Sequence, residues 1–373
     1  MEWNQIAGHD SLKKLLIDSV NNQRVSHAQL FVGKEGYGTL PLALAYAQEV
    51  FKSQNESSAM KVATLNHVDL HFSFPTFNDN KNSLSKRFYN DFRTMILENP
   101  YASFEDWGKV LESENKQLYI SADEIDDQNQ KFSLKSFEGG YKVLIVWRAD
   151  KINAVASNKF LKFLEEPPEK TIILLTAESS SHMLDTIISR TQIIEVPRVK
   201  DEDLKNYIKS NSTLDDTTIV SIVHRAQGDV NAAMKLMHSE IHDTEFEELF
   251  IQWVREAFMV FKRPELLRNI IKWATNIAGW KKEKQKNFLA YCTEIFRQAL
   301  LQNYDRSDLV YSKISYNNFN WDKFTEYIHG ANIESILQEL TDADYHLERN
   351  GNAKIIWTDM GIKLTRYIHR KPM

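Results

Sequence analysis

Residues Gly33 to Leu40 read GKEGYGTL, which is close to a phosphate-binding loop: two glycines bracketing four residues, followed by a lysine and a hydroxyl residue. Gly33 and Gly38 keep that spacing, and Gly36 adds a further permissive position. The chemistry is different. Thr39 stands where the lysine that reaches the β- and γ-phosphates belongs, and Leu40 replaces the magnesium-binding hydroxyl. Lys34 is at the wrong end of the loop to substitute, because the lysine has to project from the first helical turn, where backbone N–H groups converge on phosphate. On these residues alone, a glycine turn joining strand to helix fits as well as a nucleotide loop. The second landmark is the apolar run Val143 to Val146. In an ATP-hydrolysing site such a strand ends in an acidic residue for magnesium, but here it is followed by Trp147 and Arg148. An indole does not ligate magnesium and a guanidinium repels it. Asp150 is expected to cap the next helix or to pair with a neighbour. His67 and His71, four apart, could share a helical face, but they lack further soft ligands and read as surface histidines. With Cys292 the single cysteine, no metal site and no zinc are expected.

Several elements must position these residues. Leu12, Leu15, Leu16 and Val20 make a helical stripe, Ala28 to Val32 reads as a short buried strand, and Leu42 to Phe51 as a helix beyond the glycine turn. Residues 52–100 are rich in Ser, Asn and Lys, with Phe72, Phe74 and Phe77 among them, and suggest a strand followed by an irregular insertion. Ser121 with Glu124 matches a capping box opening a helix towards Ser136. Lys142 to Trp147 and Thr171 to Thr176 are continuous apolar runs, expected to be central parallel strands. A helix over Ala154 to Glu166 lies between them, stopped by Pro167 and Pro168. A short strand, Gln192 to Val196, follows. Strands alternating with helices imply a parallel α/β sheet with right-handed crossovers. Beyond Pro197 strand signals are rare. Ile333, Ile336, Leu337 and Leu340, and then Ile356, Met360, Leu364 and Ile368, follow helical periodicity, and Trp253, Trp273, Trp280 and Trp357 are expected in the core of a helical bundle.

The 373 residues suffice for two or three domains. With 46 Lys plus Arg against 51 Asp plus Glu, the formal net charge is −5, so the surface as a whole is no trap for nucleic acid and any DNA contact must be local. The basic run Lys281 to Lys286 reads as a solvated helix face. No apolar run is long enough to span a bilayer and the first residues lack signal-peptide character, so a cytoplasmic protein without membrane contact is expected.

The stretch from Lys142 to Ser179, KVLIVWRADKINAVASNKFLKFLEEPPEKTIILLTAES, followed by LDTIISRTQ from Leu184 to Gln192, resembles the clamp-loader branch of the AAA+ superfamily. Asn158 to Pro168 carries that branch's asparagine, leucine-rich, glutamate–glutamate–proline–proline signature. Most of residues 1–200 share the likeness. It implies an α/β AAA+ module with a P-loop-like parallel sheet and flanking helices over 1–198, a small helical lid over 199–243, and an all-α collar domain over 244–373. A lost loop lysine together with a kept Ser189–Arg190 pair is similar to the delta-prime type of subunit. By that resemblance Arg190, with Ser189, is an arginine finger serving the ATP of an adjacent subunit, although Thr191 departs from the family's serine, arginine, cysteine pattern. Asn231 stands where active subunits carry an ATP-contacting arginine, and Thr176 matches a sensor position at a strand end. The family's four zinc cysteines are missing between Phe51 and Pro100. The implied partners are ATPase subunits of gamma or tau type, which bind ATP and magnesium themselves, a clamp-opening delta-type subunit, the sliding clamp indirectly, and primer-template DNA within the complex. The alternatives are an active gamma/tau-type ATPase subunit and a DNA-binding protein with a relic AAA+ fold.

Overall fold

A computed structural model describes residues 1–78, 84–113, 116–239, 243–306, 309–310, 313–314, 316 and 319–371. The chain divides into two compact units, Met1–Thr213 with Ile222–Leu236, and Leu214–Ser221 with Met237–Met373. The segment expected to be a lid contributes to both.

Up to Ser239 the elements run α1 (Asp10–Asn21), β1 (Ala28–Val32), α2 (Thr39–Lys52), α3 (Glu56–Ala63), β2 (Leu70–Ser73), α4 (Tyr89–Glu98), α5 (Phe104–Val110), α6 (Ala122–Ser133), β3 (Lys142–Val146), α7 (Ala154–Glu165), β4 (Thr171–Ala177), α8 (Asp185–Ile188), β5 (Gln192–Glu195) and α9 (Asp201–Asn211) in the first unit, and α10 (Asp216–Ala226) and α11 (Val230–Ser239), which the unit boundary divides. All five strands are parallel, in the order β2-β3-β4-β1-β5. Every residue of β1, β3 and β4 is buried, as the unbroken apolar runs require of strands covered on both faces. One layer of core joins Phe31, Val143, Ile145 and Leu174 to α2, α4 and α5; the other joins Leu30, Leu144 and Leu175 to α6 and α7. The architecture is the expected α/β module, a parallel sheet with flanking helices.

Residues 52–100 hold the expected strand, β2, but carry helices α3 and α4 where an irregular insertion was expected; residues 79–83 lie outside the described part. The ordering force is aromatic: Phe74 stacks on Phe92 with centroids 4.0 Å apart, and Trp107 meets both edge-on at 5.3 and 5.5 Å. The Trp107 indole donates to the Pro75 carbonyl at 2.7 Å, so a large side chain is buried with its polar atom satisfied. Ser121 does cap α6, accepting from the Glu124 N–H at 3.2 Å. The Glu124 carboxylate turns elsewhere, accepting from Ser85 N–H and hydroxyl at 2.8 and 2.5 Å and from Gln128 at 2.8 Å. It is buried and ties the lead-in to α4 onto α6.

The second unit continues with α12 (Asp243–Met259), α13 (Leu267–Ala278), α14 (Lys282–Asn303), α15 (Trp321–Thr325), α16 (Gly330–Glu348) and α17 (Ala353–Tyr367). Trp253, Trp273 and Trp357 are buried in its core; Trp253 and Trp273 stack at 5.0 Å. The basic run is engaged along its own helices: Lys284 pairs with Glu245 at 2.6 Å, Lys286 with Glu348 at 2.7 Å, and Lys282 donates to the Glu348 carbonyl at 2.7 Å. No described helix is long and apolar enough to cross a membrane.

Candidate functional site

The glycine loop lies at the C-terminal edge of the sheet, between β1 and α2. Gly36 and Gly38 have φ of +74° and +103°, the left-handed region in which glycine escapes a Cβ clash, and Gly38 is the N-cap of α2. The first helical turn therefore points into the loop, as phosphate binding requires. What occupies that place is protein. Leu40 turns into the core and Lys34 is exposed. A side chain on Gly38 would meet the Tyr101 ring at 3.4 Å, and Tyr101 is itself fixed by accepting the Ala7 N–H at 2.9 Å. The loop, Tyr101, Trp147, Arg148, Thr176 and Glu178 line a partly open cleft of about 20 Å³, on the order of the space needed by one water.

The end of β3 closes the loop from the other side. The Trp147 indole packs in the core near Phe92, at 5.5 Å. Arg148 takes a left-handed backbone, φ +59°, with its N–H donated to the Thr176 hydroxyl at 3.2 Å. Its guanidinium is almost fully buried and is shared by three carboxylates. Nε and Nη2 donate to Asp150 at 2.9 and 2.7 Å, Nη2 also reaches Glu178 at 3.1 Å, and Nη1 pairs with Glu35 of the loop. Glu35 also accepts the Phe104 N–H at 2.8 Å. Burial pushes the Glu35 carboxyl up, against the pull of the Phe104 N–H and of Arg148. Desolvation works against the Arg148 charge, yet Asp150, Glu35 and Glu178 together hold it firmly protonated. A fixed positive charge thus lies where an active site would hold a cation, and Asp150 serves as its partner.

Helix α11 completes the enclosure. The Val230 N–H donates to the Gly36 carbonyl at 3.0 Å, and a Cβ built on Gly36 would lie 1.7 Å from Asp229 Oδ1. Asp229 caps α11 by accepting the Ala232 N–H at 2.9 Å. Asn231 is buried and bridges two acceptor–donor groups. It donates to Asp106 at 2.8 Å and accepts from Asn99 at 2.7 Å, while Lys235 pairs with Asp106 at 2.7 Å. Desolvation raises the Asp106 carboxyl, but bonds from Lys235, Ser103 and Asn231 outweigh it and leave the group at about 2.

Arg190 lies in the turn between α8 and β5. Its Nε donates to Glu165 Oε1 at 2.7 Å, Nη2 is 2.5 Å from the same oxygen, and Nη1 donates to the Thr186 carbonyl at 2.9 Å and to the Ser189 hydroxyl at 3.3 Å. The head group is thus docked on its own chain. It is still about one-third exposed, and Ser189 is exposed beside it. The two histidines share no helix and are not surface groups. His67 is buried against Glu138 at 3.1 Å, and His71 sits in β2 beside the Phe132 ring. Burial, then the charges of Lys131 and Lys142, lower His71 to about 4. No group of three or more His, Cys, Asp or Glu placed to share a metal occurs among the described residues. Glu35, Tyr101, Asp106 and Glu178 were missed from sequence. Only Glu35 left a signal, an acidic residue inside a phosphate-type loop with an arginine at the facing strand end.

Fold and site together define a parallel α/β module with a P-loop-like glycine loop that is lined closely by its own side chains. Residues 8–200 match the model of the family described as DNA polymerase III, delta subunit, and the chain belongs to that family. Curated relatives include the DNA polymerase III subunit delta' of Bacillus subtilis (strain 168), 30% identical over 188 residues, covering 48% of this chain and 45% of that protein. The subunit delta' of Haemophilus influenzae is 28% identical over 144 residues, covering 39% and 42%. The matches thus span less than half the length of these relatives. Among solved structures, a DNA polymerase III gamma subunit-related protein from Thermotoga maritima aligns over 96% of this chain and 99% of its own, with 14% identity and a TM-score of 0.41.

Proposed function

We propose that this chain is a non-hydrolysing, delta-prime-type subunit of a clamp loader, without nucleotide or metal of its own, which supplies Arg190 to ATP held by a neighbouring ATPase subunit. The observation that carries the reading is the filled loop. Thr39 and Leu40 lack the phosphate and magnesium groups, Asp229 closes on Gly36, and Tyr101 and Arg148 line the cleft beside the loop, leaving about 20 Å³. A triphosphate with its metal needs a far larger space, and the Arg148 charge is already balanced by three carboxylates. A subunit without turnover can still assist it: a guanidinium set against another subunit's γ-phosphate stabilises charge that develops in phosphoryl transfer. Partial exposure of Arg190 beside the exposed Ser189 is consistent with that use. The expected partners are gamma- or tau-type ATPase subunits and a delta-type subunit, acting on the sliding clamp at primed DNA.

Two measurements test the reading. Calorimetric titration of magnesium-ATP into the purified chain should give no binding in the micromolar range, and micromolar magnesium-dependent binding would refute the filled-loop argument. In the reconstituted complex, Arg190→Ala should leave assembly intact but lower clamp-stimulated ATP hydrolysis. The loss should be partial, because only one of several ATPase sites faces this chain, and Arg190→Lys should rescue poorly since an ammonium makes no forked contact. Wild-type turnover by an assembled Arg190→Ala complex would leave Arg190 a structural residue.

A further inference from the structure

Resting on the reading of Arg190 as a finger, we propose that Glu165 is its positioning residue: it holds the guanidinium docked on its own chain until a neighbour's γ-phosphate displaces it. Glu165 Oε1 occupies the Nε–Nη2 edge of Arg190, with separations of 2.7 and 2.5 Å. That edge is the one a guanidinium presents in a forked contact with carboxylate or phosphate. The opposite end is held by the Thr186 carbonyl and the Ser189 hydroxyl. Ser189 also donates to the Thr186 carbonyl, at 3.2 Å, so it braces the docked position. As the arginine stands, it cannot offer its forked edge to phosphate without leaving Glu165.

The position of Glu165 is not explained by its own helix. It is the last residue of α7, where the helix dipole disfavours a carboxylate. Its side chain is about half exposed and makes its contact with Arg190. A pair this exposed holds weakly, shifting an equilibrium by about two- to fivefold. A phosphate carrying more charge and three acceptor oxygens can therefore outcompete it. The device is a modest, reversible tax on finger engagement: only the fraction of molecules with Arg190 released is competent, and the apparent affinity for ATP at that interface falls by the same factor.

The test uses the full chain assembled with its ATPase subunits. The turnover lost on Arg190→Ala defines the hydrolysis that depends on this interface, and its ATP dependence is compared between wild type and Glu165→Gln. The substitution should lower the ATP concentration for half-maximal turnover about two- to fivefold and leave the ceiling unchanged. The difference should shrink as salt is raised, since an exposed pair is screened. Glu165→Asp, whose shorter side chain draws the carboxylate back from Arg190, should act in the same direction and covers a misfolded glutamine variant. In an Arg190→Ala background neither change should have an effect. A clear Arg190→Ala defect with unchanged half-saturation in both Glu165 variants, or with a lowered ceiling, would overturn the holding role while leaving the finger intact. An assembled Arg190→Ala complex with wild-type turnover would overturn the finger and this inference with it.

Discussion

Replacing Arg148 with alanine tests whether the filled loop is a structural unit or an incidental contact. The substitution removes the guanidinium shared by Glu35, Asp150 and Glu178, and leaves Asp150 only the partly exposed Lys151, at 3.8 Å and beyond hydrogen-bond distance. The three losses are unequal. Asp150 is 1% exposed and the Arg148 side chain 7%, so this is a buried pair, and deleting one partner of such a pair costs about 3–5 kcal/mol because the other charge is left uncompensated. Glu178, at 46% exposed, is solvated enough to contribute little, and Glu35, at 32%, contributes less than Asp150. The expected destabilisation is therefore about 3 kcal/mol, roughly a hundredfold in the opening equilibrium of the region. It should be read by urea denaturation together with hydrogen exchange of peptides covering β3, β4 and the glycine loop. The pH dependence carries a sign. Burial raises the Glu35 pKa, so Glu35 adds stability below its unfolded pKa and that contribution is lost as pH rises through the folded value. Without Arg148 nothing but the Phe104 N–H offsets the burial of the Glu35 charge, so the deficit of the variant should be largest near neutrality and narrow as pH falls into the carboxylate range. A change under about 1 kcal/mol at neutral pH, or a deficit that grows on acidification, would refute the reasoning.

Gly36→Ala should free the start of α11, because a Cβ would meet Asp229 Oδ1 at 1.7 Å from a backbone at φ +74°; faster hydrogen exchange of α11 with an unchanged sheet is the expected result. Asp106, held at about 2, adds stability that is present above its unfolded pKa and lost as pH falls towards that value, on the order of 2 kcal/mol. Asp106→Asn should flatten acid denaturation between about pH 4 and 2, and a wild-type acid limb would show that α11 is held by other contacts.

The strands were legible because burial on both faces leaves an unbroken apolar run, and Val143 to Val146 and Ile172 to Leu175 have no competing reading. That Thr39, Leu40, Trp147 and Arg148 stand in place of the phosphate-loop lysine and hydroxyl and the strand-end acid was equally plain, since residue type is a local fact. What replaces those groups was not legible, because each replacement joins residues far apart in the chain: Glu35 to Arg148, Gly36 to Asp229, and Asn99 and Asp106 to Asn231. The same distance hid the order in residues 52–100, where polar composition argued for a loop. Three aromatic side chains, Phe74, Phe92 and Trp107, outweigh that composition once the sheet brings them together.

The filled loop also bears on what a subunit of this kind contributes. In an ATP-binding module the nucleotide links the loop, the strand ends and the lid helix, and those links last only while it is bound. Here Glu35 and Arg148 join the loop to the ends of β3 and β4, while Asp229, Asn231 and Lys235 join α11 to the loop and α5. Every one of these links is covalently part of the chain, so none depends on ATP concentration. The energetic asymmetry follows: the buried Arg148–Asp150 pair is costly to break, whereas the exposed Glu165–Arg190 pair exchanges at little cost. Stability is concentrated at the glycine loop, whereas the turn that carries Arg190 is held by an exposed pair.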